Sequence, residues 1–248
     1  MAILAANWKM YKTIAEASAW CEVVQRSPWL DRAEVLVFPP LTALSALRRD
    51  GLRLGLGAQD VGWAEQGAFT GMVSAAQLRD AGCAYALVAH SERRRYACED
   101  DRMAARKIAA LWQAGLTPVY CVGEDASERD AGRGPRRLAQ QVDTVLGELR
   151  GEMAGRLIIA YEPVWAIGSG SPATPAQACE AAGLIRERIA AACGAAALAR
   201  IALLYGGSTS PASAAGFMAE PLIDGLLVGS ASLDPASFLA MLEVMVHA

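Results

Sequence analysis

The sequence predicts an α/β fold in which eight parallel strands, joined by helices, close into one (β/α)8 barrel. Three observations lead there. Eight short aliphatic runs recur along the chain, Ala-, Leu-, Arg- and Glu-rich segments of helical character lie between them, and no Pro/Gly/Ser-rich linker divides the 248 residues. The runs cover residues 3–8, 34–38, 53–59, 85–90, 117–122, 157–162, 201–205 and 225–228, and each ends in small or polar residues. Helical segments are clearest at 13–26, 100–114, 134–151 and 175–193. Strands alternating with helices must be parallel, because each helix carries the chain back to the same edge by a right-handed crossover. Near-continuous apolar strands agree with burial on both faces. Eight strands in a chain of this length suit a closed barrel better than an open doubly wound sheet, with residues 1–248 as a single domain.

Composition narrows the function classes. A hydrophobic fraction of 54% with 20% charged residues describes a soluble globular protein with a substantial core. A net charge of -3, with 23 basic residues scattered, argues against nucleic acid as a partner. Arg93-Arg94-Arg95 and Arg136-Arg137 read as solvated faces or interface ion-pair donors. The apolar start, residues 1–6, lacks a basic leader and is interrupted by Asn7-Trp8-Lys9, so neither a signal peptide nor a membrane span is expected and the location is cytoplasmic. Cys21, Cys83, Cys98, Cys121, Cys179 and Cys193 are far apart with no C-x-x-C pair, which predicts reduced thiols and no metal site.

In a parallel barrel the chemistry gathers at the carboxyl ends of the strands. The polar residues there are Asn7 and Lys9 after the first run, His90-Ser91-Glu92 after the fourth, Glu162 after the sixth, Gly206-Gly207-Ser208 after the seventh and Gly229-Ser230 after the eighth. Glu162 leaves a buried strand just before Pro163, so desolvation is expected to raise its proton affinity toward that of a carbon-acid base; a structural ion pair is the alternative. His90 is one of two histidines, the other being His247 near the end of the chain. It could serve packing alone, but a turn or short helix beginning at Ser91 would aim N–H groups back at the ring and favour neutral imidazole. Lys9 supplies fixed positive charge or caps a carboxylate. Gly206-Gly207-Ser208 and Gly229-Ser230-Ala231-Ser232 let backbone N–H groups approach an anion, with a short helix begun by Asp234-Pro235; singly, either is an ordinary turn.

These residues belong to seven motifs: Asn7-Trp8-Lys9, Gly57-Ala58-Gln59, Gly67-Ala68-Phe69-Thr70-Gly71, His90-Ser91-Glu92-Arg93-Arg94, Ala160-Tyr161-Glu162-Pro163-Val164-Trp165-Ala166-Ile167-Gly168, Tyr205-Gly206-Gly207-Ser208 and Leu226-Leu227-Val228-Gly229. In their order and spacing the chain resembles the triosephosphate isomerase family over almost its whole length. That resemblance implies a TIM barrel without a cofactor that interconverts D-glyceraldehyde 3-phosphate and dihydroxyacetone phosphate through an enediolate. It makes Glu162 the base, His90 the electrophile and Lys9, helped by Asn7, the stabiliser of negative charge. Asn7 and Lys9 also bind substrate, while Gly168, Ser208, Gly229 and Ser230 hold the phosphate. Glu92 supports the site near Lys9, and Cys121 is structural. Pro163-Val164-Trp165 and Ser171-Pro172-Ala173 are hinges of a lid whose tip, residues 166–170, includes Ile167 and Gly168, with Tyr205 as latch. Residues 59–73 resemble a loop that enters a neighbouring subunit, where Thr70 meets the partner's Asn7 and the partner's Glu92, so a homodimer is implied.

Four positions depart from the family pattern. Met72 stands where a glutamate often pairs with the partner's arginine, here Arg93, so that intersubunit ion pair is expected to be lost. Asp60 replaces a common asparagine, Ser230 a frequent glycine, and Pro172 fixes one φ in the second hinge, which is expected to limit lid motion. Two other readings fit the same barrel: a Schiff-base aldolase or other sugar-phosphate lyase with Lys9 as nucleophile, and a sugar-phosphate binding protein without catalysis.

Overall fold

A computed structural model describes residues 1–149, 155–167 and 172–247. Its strands are β1 (Ala2–Asn7), β2 (Ala33–Phe38), β3 (Gly55–Ala58), β4 (Tyr85–Val88), β5 (Thr117–Val122), β6 (Leu157–Tyr161), β7 (Ile201–Tyr205) and β8 (Gly225–Val228). All pair in parallel in sequence order, and β8 closes on β1 through Ile3↔Gly225 to Ala6↔Val228, giving the predicted barrel.

The helices among the described residues are α1 (Ile14–Val24), α2 (Leu41–Leu47), α3 (Ala75–Asp80), α4 (Ser91–Ala97), α5 (Asp101–Gln113), α6 (Ala126–Asp130), α7 (Gly134–Glu148), α8 (Pro175–Cys193), α9 (Pro211–Met218) and α10 (Pro235–His247). Local sequence starts them. Thr13 with Glu16, Ser74 with Gln77, Asp125 with Glu128 and Thr174 with Gln177 form reciprocal capping boxes. The segment expected over 134–151 ends as a helix at Glu148, and residues 150–154 lie outside those described.

Side-chain alternation along the strands produces two apolar layers. Ile3, Ala5, Leu36, Phe38, Val119, Ile158 and Leu204 fill the barrel interior. Leu4, Ala6, Val35, Val37, Ile159 and Leu203 point outward to meet the helices. Burying each large aliphatic side chain stabilises the fold by about 1.5–3 kcal/mol. The strands end earlier than the apolar runs suggest: Trp8, Gln59, His90 and Glu162 all lie just past a strand end. Positive φ values at Lys9 (52°) and Ala89 (56°) turn the chain there, and Lys9, His90 and Glu162 line the cavity at the rim while Trp8 and Ala89 stay in the core.

Cys21, Cys83 and Cys121 are buried free thiols, whereas Cys98 is exposed. Among the described residues no helix is long and apolar enough to cross a membrane, and no cluster of His, Cys, Asp and Glu is arranged to hold a metal ion.

Candidate active site

The β6 ladder runs one residue past the strand, with Glu162 N–H donating to Val122 O at 2.7 Å, and then stops because Pro163 has no N–H. Glu162 is only 2% exposed. Its Oε2 accepts from the Ser91 N–H at 2.8 Å, and its Oε1 lies 2.8 Å from His90 Nε2. His90 caps the N-terminus of α4, and its Nδ1 accepts from the Glu92 N–H at 3.2 Å. Since Nδ1 is an acceptor, the ring proton is assigned to Nε2, which donates to Glu162.

Burial pushes the Glu162 carboxyl up, but the His90 ring, the hydrogen bonds from His90 and Ser91, and Lys9 together hold it below the ordinary carboxylate value. The expected rise from desolvation is therefore reversed, first by His90 and then by the Ser91 amide at the start of α4. Burial opposes a charged His90 and the Glu162 carboxylate favours one, with the carboxylate prevailing between charges. The Glu92 amide occupies the Nδ1 lone pair that a second proton would need, which works against that pull and for the neutral ring.

Lys9 is held in a left-handed conformation that costs about 1–3 kcal/mol for a non-glycine residue. Two side chains hold it. Lys9 N–H donates to Asn7 Oδ1 at 3.1 Å, and Gln59 Nε2 donates to Lys9 O at 2.8 Å and to Phe38 O at 2.9 Å. The ammonium thereby reaches over the barrel mouth, where Nζ pairs with Glu92 Oε1 at 2.8 Å.

These groups line one cavity of about 300 Å3, together with Ile167, Ser208, Gly229 and Ser230. The amides of Ser208, Gly229 and Ser230 make no hydrogen bond among the described residues, and Ser230 begins a 3-10 turn. Gly207 permits the approach of β7 to the β6 turn: a Cβ there would lie 2.2 Å from the Tyr205 hydroxyl and 2.9 Å from Pro163. One carboxylate, one imidazole, one ammonium and a set of unpaired amides therefore face a space sized for a small phosphorylated metabolite. The sequence model of the family described as triosephosphate isomerase matches residues 2–245.

The chain belongs to the triosephosphate isomerase family.

Similar proteins named triosephosphate isomerase include that of Symbiobacterium thermophilum, 45% identical over 96% of this chain and 94% of that protein. That of Moorella thermoacetica is 44% identical over 97% of both chains. That of Roseiflexus castenholzii is 45% identical over 98% of this chain and 97% of its own.

Of the residues that resemblance to the triosephosphate isomerase family singles out, Asn7, Lys9, His90, Glu162, Ile167, Ser208, Gly229 and Ser230 line the cavity. Gly168 lies outside the described residues, as do the other lid-tip residues 169–170 and Ser171. Thr70 does not line it, sitting instead in an exposed turn. Trp165 points away, its indole N–H donating to Glu124 Oε1 at 2.8 Å and its ring lying 3.8 Å from the Arg129 guanidinium. The buried Tyr205 hydroxyl sits beside the Ala173 amide without a well-aligned hydrogen bond, and burial pushes its pKa up to about 12.

A neighbouring cavity of about 500 Å3 shares Asn7, Lys9 and His90 but lacks Glu162 and the amide cradle. Its wall explains two departures from the family pattern together. Arg93 Nη2 pairs with Asp60 Oδ2 at 2.7 Å within the same chain, while Lys107 Nζ bridges Asp60 at 2.6 Å and Glu99 at 2.7 Å. Asp60 thus gives Arg93 an internal counter-ion where Met72 offers none. Glu99, to which sequence reading assigned no role, accepts from the Ala89 N–H at 2.8 Å, and Arg94, expected as a solvated or ion-pairing residue, donates from Nε to Ala89 O at 2.9 Å and pairs with Asp101. Both brace the residue that precedes His90.

Proposed function

We infer that this chain interconverts D-glyceraldehyde 3-phosphate and dihydroxyacetone phosphate, using Glu162 to move a proton between adjacent carbons. The observation that carries the reading is the convergence of Glu162, His90 and Lys9 on one cavity of about 300 Å3 whose far wall presents the Ser208, Gly229 and Ser230 amides. Phosphate bound to those amides sets the triose carbons beside Glu162. The carboxylate takes the proton from the carbon next to the carbonyl, and the electron pair of the broken C–H bond passes into an enediolate. Neutral His90 donates from Nε2 to the developing oxyanion and passes a proton between the two oxygens. Lys9 holds the negative charge, with Asn7 fixing its turn and facing the same space. Glu162 then returns its proton to the neighbouring carbon, so no net redox partner is consumed.

Substrate must first draw Glu162 away from His90 and Ser91. This removes the contacts that depress its pKa and leaves burial, which raises it, so basicity is released where it is used. A lid between Pro163 and Ala173, anchored by Trp165 on Glu124 and latched at Tyr205, carries Ile167 over the site and excludes water that would allow phosphate loss from the enediolate.

The active form is a homodimer. Met10 (96% exposed), Tyr11 (58%), Phe69 (41%) and Tyr96 (74%) leave a large apolar area uncovered on one chain. By resemblance to the family, the 59–73 loop of a second copy brings its Thr70 to Asn7 and Glu92. The location is cytoplasmic.

A coupled assay with glyceraldehyde 3-phosphate tests the activity, and absence of turnover overturns it. A Schiff-base lyase would need the Lys9 lone pair, yet Nζ is engaged by Glu92 at 2.8 Å. Borohydride is therefore expected to trap no sugar phosphate on the chain.

A further inference from the structure

Gln141 is fully buried on the barrel-facing stripe of α7, among Leu138, Val142 and Val145. A primary amide in such surroundings must find partners, since each unmet polar group costs about 1–3 kcal/mol. Both of its groups are satisfied by one residue, across the two peptide units that flank its Cα. Gly123 N–H donates to Gln141 Oε1 at 2.9 Å, and Gln141 Nε2 donates to Gly123 O at 3.1 Å.

That glycine is backed directly against the base. A Cβ at Gly123 would lie 1.7 Å from the Glu162 carbonyl oxygen, so the two backbones touch and movement of residue 123 displaces residue 162. The next residue, Glu124, holds the Tyr161 hydroxyl at 3.0 Å and the Trp165 indole at 2.8 Å on a single oxygen. The turn at 123–124 therefore grips the chain before, at and after Glu162, and Gln141 is what fixes that turn from outside the barrel. A second link runs from the same residue toward His90: Gln141 O accepts from the Tyr120 hydroxyl at 3.1 Å, and Arg94 joins Tyr120 to Ala89 O.

We propose that Gln141 is a positioning residue for the isomerisation, its amide locking the Gly123 peptide and thereby the reach of the Glu162 carboxylate. The proposal rests on Glu162 being the base. Misplacing a reacting group by about 1 Å costs up to about 10²-fold in rate, whereas the Ser208, Gly229 and Ser230 amides after β7 and β8 make no hydrogen bond with Gln141 and keep their geometry. The loss therefore falls on kcat and spares KM.

Two variants test this in the full chain. Gln141→Met keeps the volume but leaves both Gly123 groups unpaired; Gln141→Glu keeps the volume and an acceptor for the Gly123 N–H. The expected result is a fall in kcat of about ten-fold or more for Gln141→Met, an intermediate value for Gln141→Glu, and KM and inorganic phosphate affinity within about two-fold of wild type. If Gln141→Met does not fold, Gln141→Glu decides by the same readout. A folded variant with wild-type kcat, or one whose KM rises as far as kcat falls, overturns the proposal. Glu162→Gln assayed in parallel separates the two failures. Loss of turnover there beside unaffected Gln141 variants sinks this inference alone, while a wild-type rate in Glu162→Gln sinks the site reading.

Discussion

The Glu162 carboxylate accepts a hydrogen bond from His90 Nε2 at 2.8 Å, so the proposed base and the proposed electrophile are bonded to one another from either side of β5. The contact ties together the ionisation of two groups whose separate protonation the reaction needs.

Removing the ring exposes this coupling. In His90→Ala the carboxyl of Glu162 loses the imidazole that pulls it down, and burial is left to raise it. Carbon-13 NMR titration of that carboxyl is expected to move to higher pH than in wild type; an unchanged titration contradicts the assignment. A carboxyl depressed in the folded protein contributes stability above its unfolded value and loses it as pH falls through the folded one. The stability difference between wild type and Glu162→Gln should accordingly shrink as pH drops below the ordinary glutamate value of 4.5.

Gln59 acts on Lys9 through the backbone. Gln59→Leu leaves Lys9 O and Phe38 O without their shared donor, a loss of about 1–3 kcal/mol that calorimetry can read. Relaxation of the strained Lys9 turn lowers kcat/KM by about ten-fold. Wild-type kinetics in this variant would show that the turn holds itself.

Lys107 is 1% exposed between Asp60 and Glu99. Lys107→Met leaves two carboxylates facing each other without their shared cation, and denaturant unfolding is expected to show a loss of about 3–5 kcal/mol. A loss below about 1 kcal/mol would mean that Arg93 alone satisfies the cluster.

The proposed dimer should depend on apolar contact, since Arg93 already has Asp60 as counter-ion. Phe69→Asp is expected to shift sedimentation toward the monomer and reduce kcat. A variant that remains dimeric would place the interface elsewhere.

Much of this was legible in the sequence because barrel strands announce themselves as apolar runs and the rim residues follow directly. Glu162, His90 and Lys9 each stand within two residues of a strand end, and the helix N-terminus expected at Ser91 does point at the His90 ring. The direction of the Glu162 shift was not legible, because the Ser91 amide that helps reverse it lies 71 residues away in the chain. Lys107, Glu99 and Gln141 were missed for a related reason: their partners come from other elements. Lys107 and Gln141 did leave a signal. Each interrupts an apolar helical stripe, Ala104, Ile108 and Leu111 around the lysine and Leu138, Val142 and Val145 around the glutamine. A polar residue at a position that periodicity reserves for the core has a buried partner to find.

The central claim, that Glu162 carries the proton between carbons, is tested most directly by solvent exchange. Dihydroxyacetone phosphate incubated in deuterium oxide with wild-type protein should acquire carbon-bound deuterium, followed by mass spectrometry. With Glu162→Gln the incorporation rate should fall by about 10²–10⁴-fold while phosphate affinity changes little. Incorporation at the wild-type rate in that variant would contradict the account.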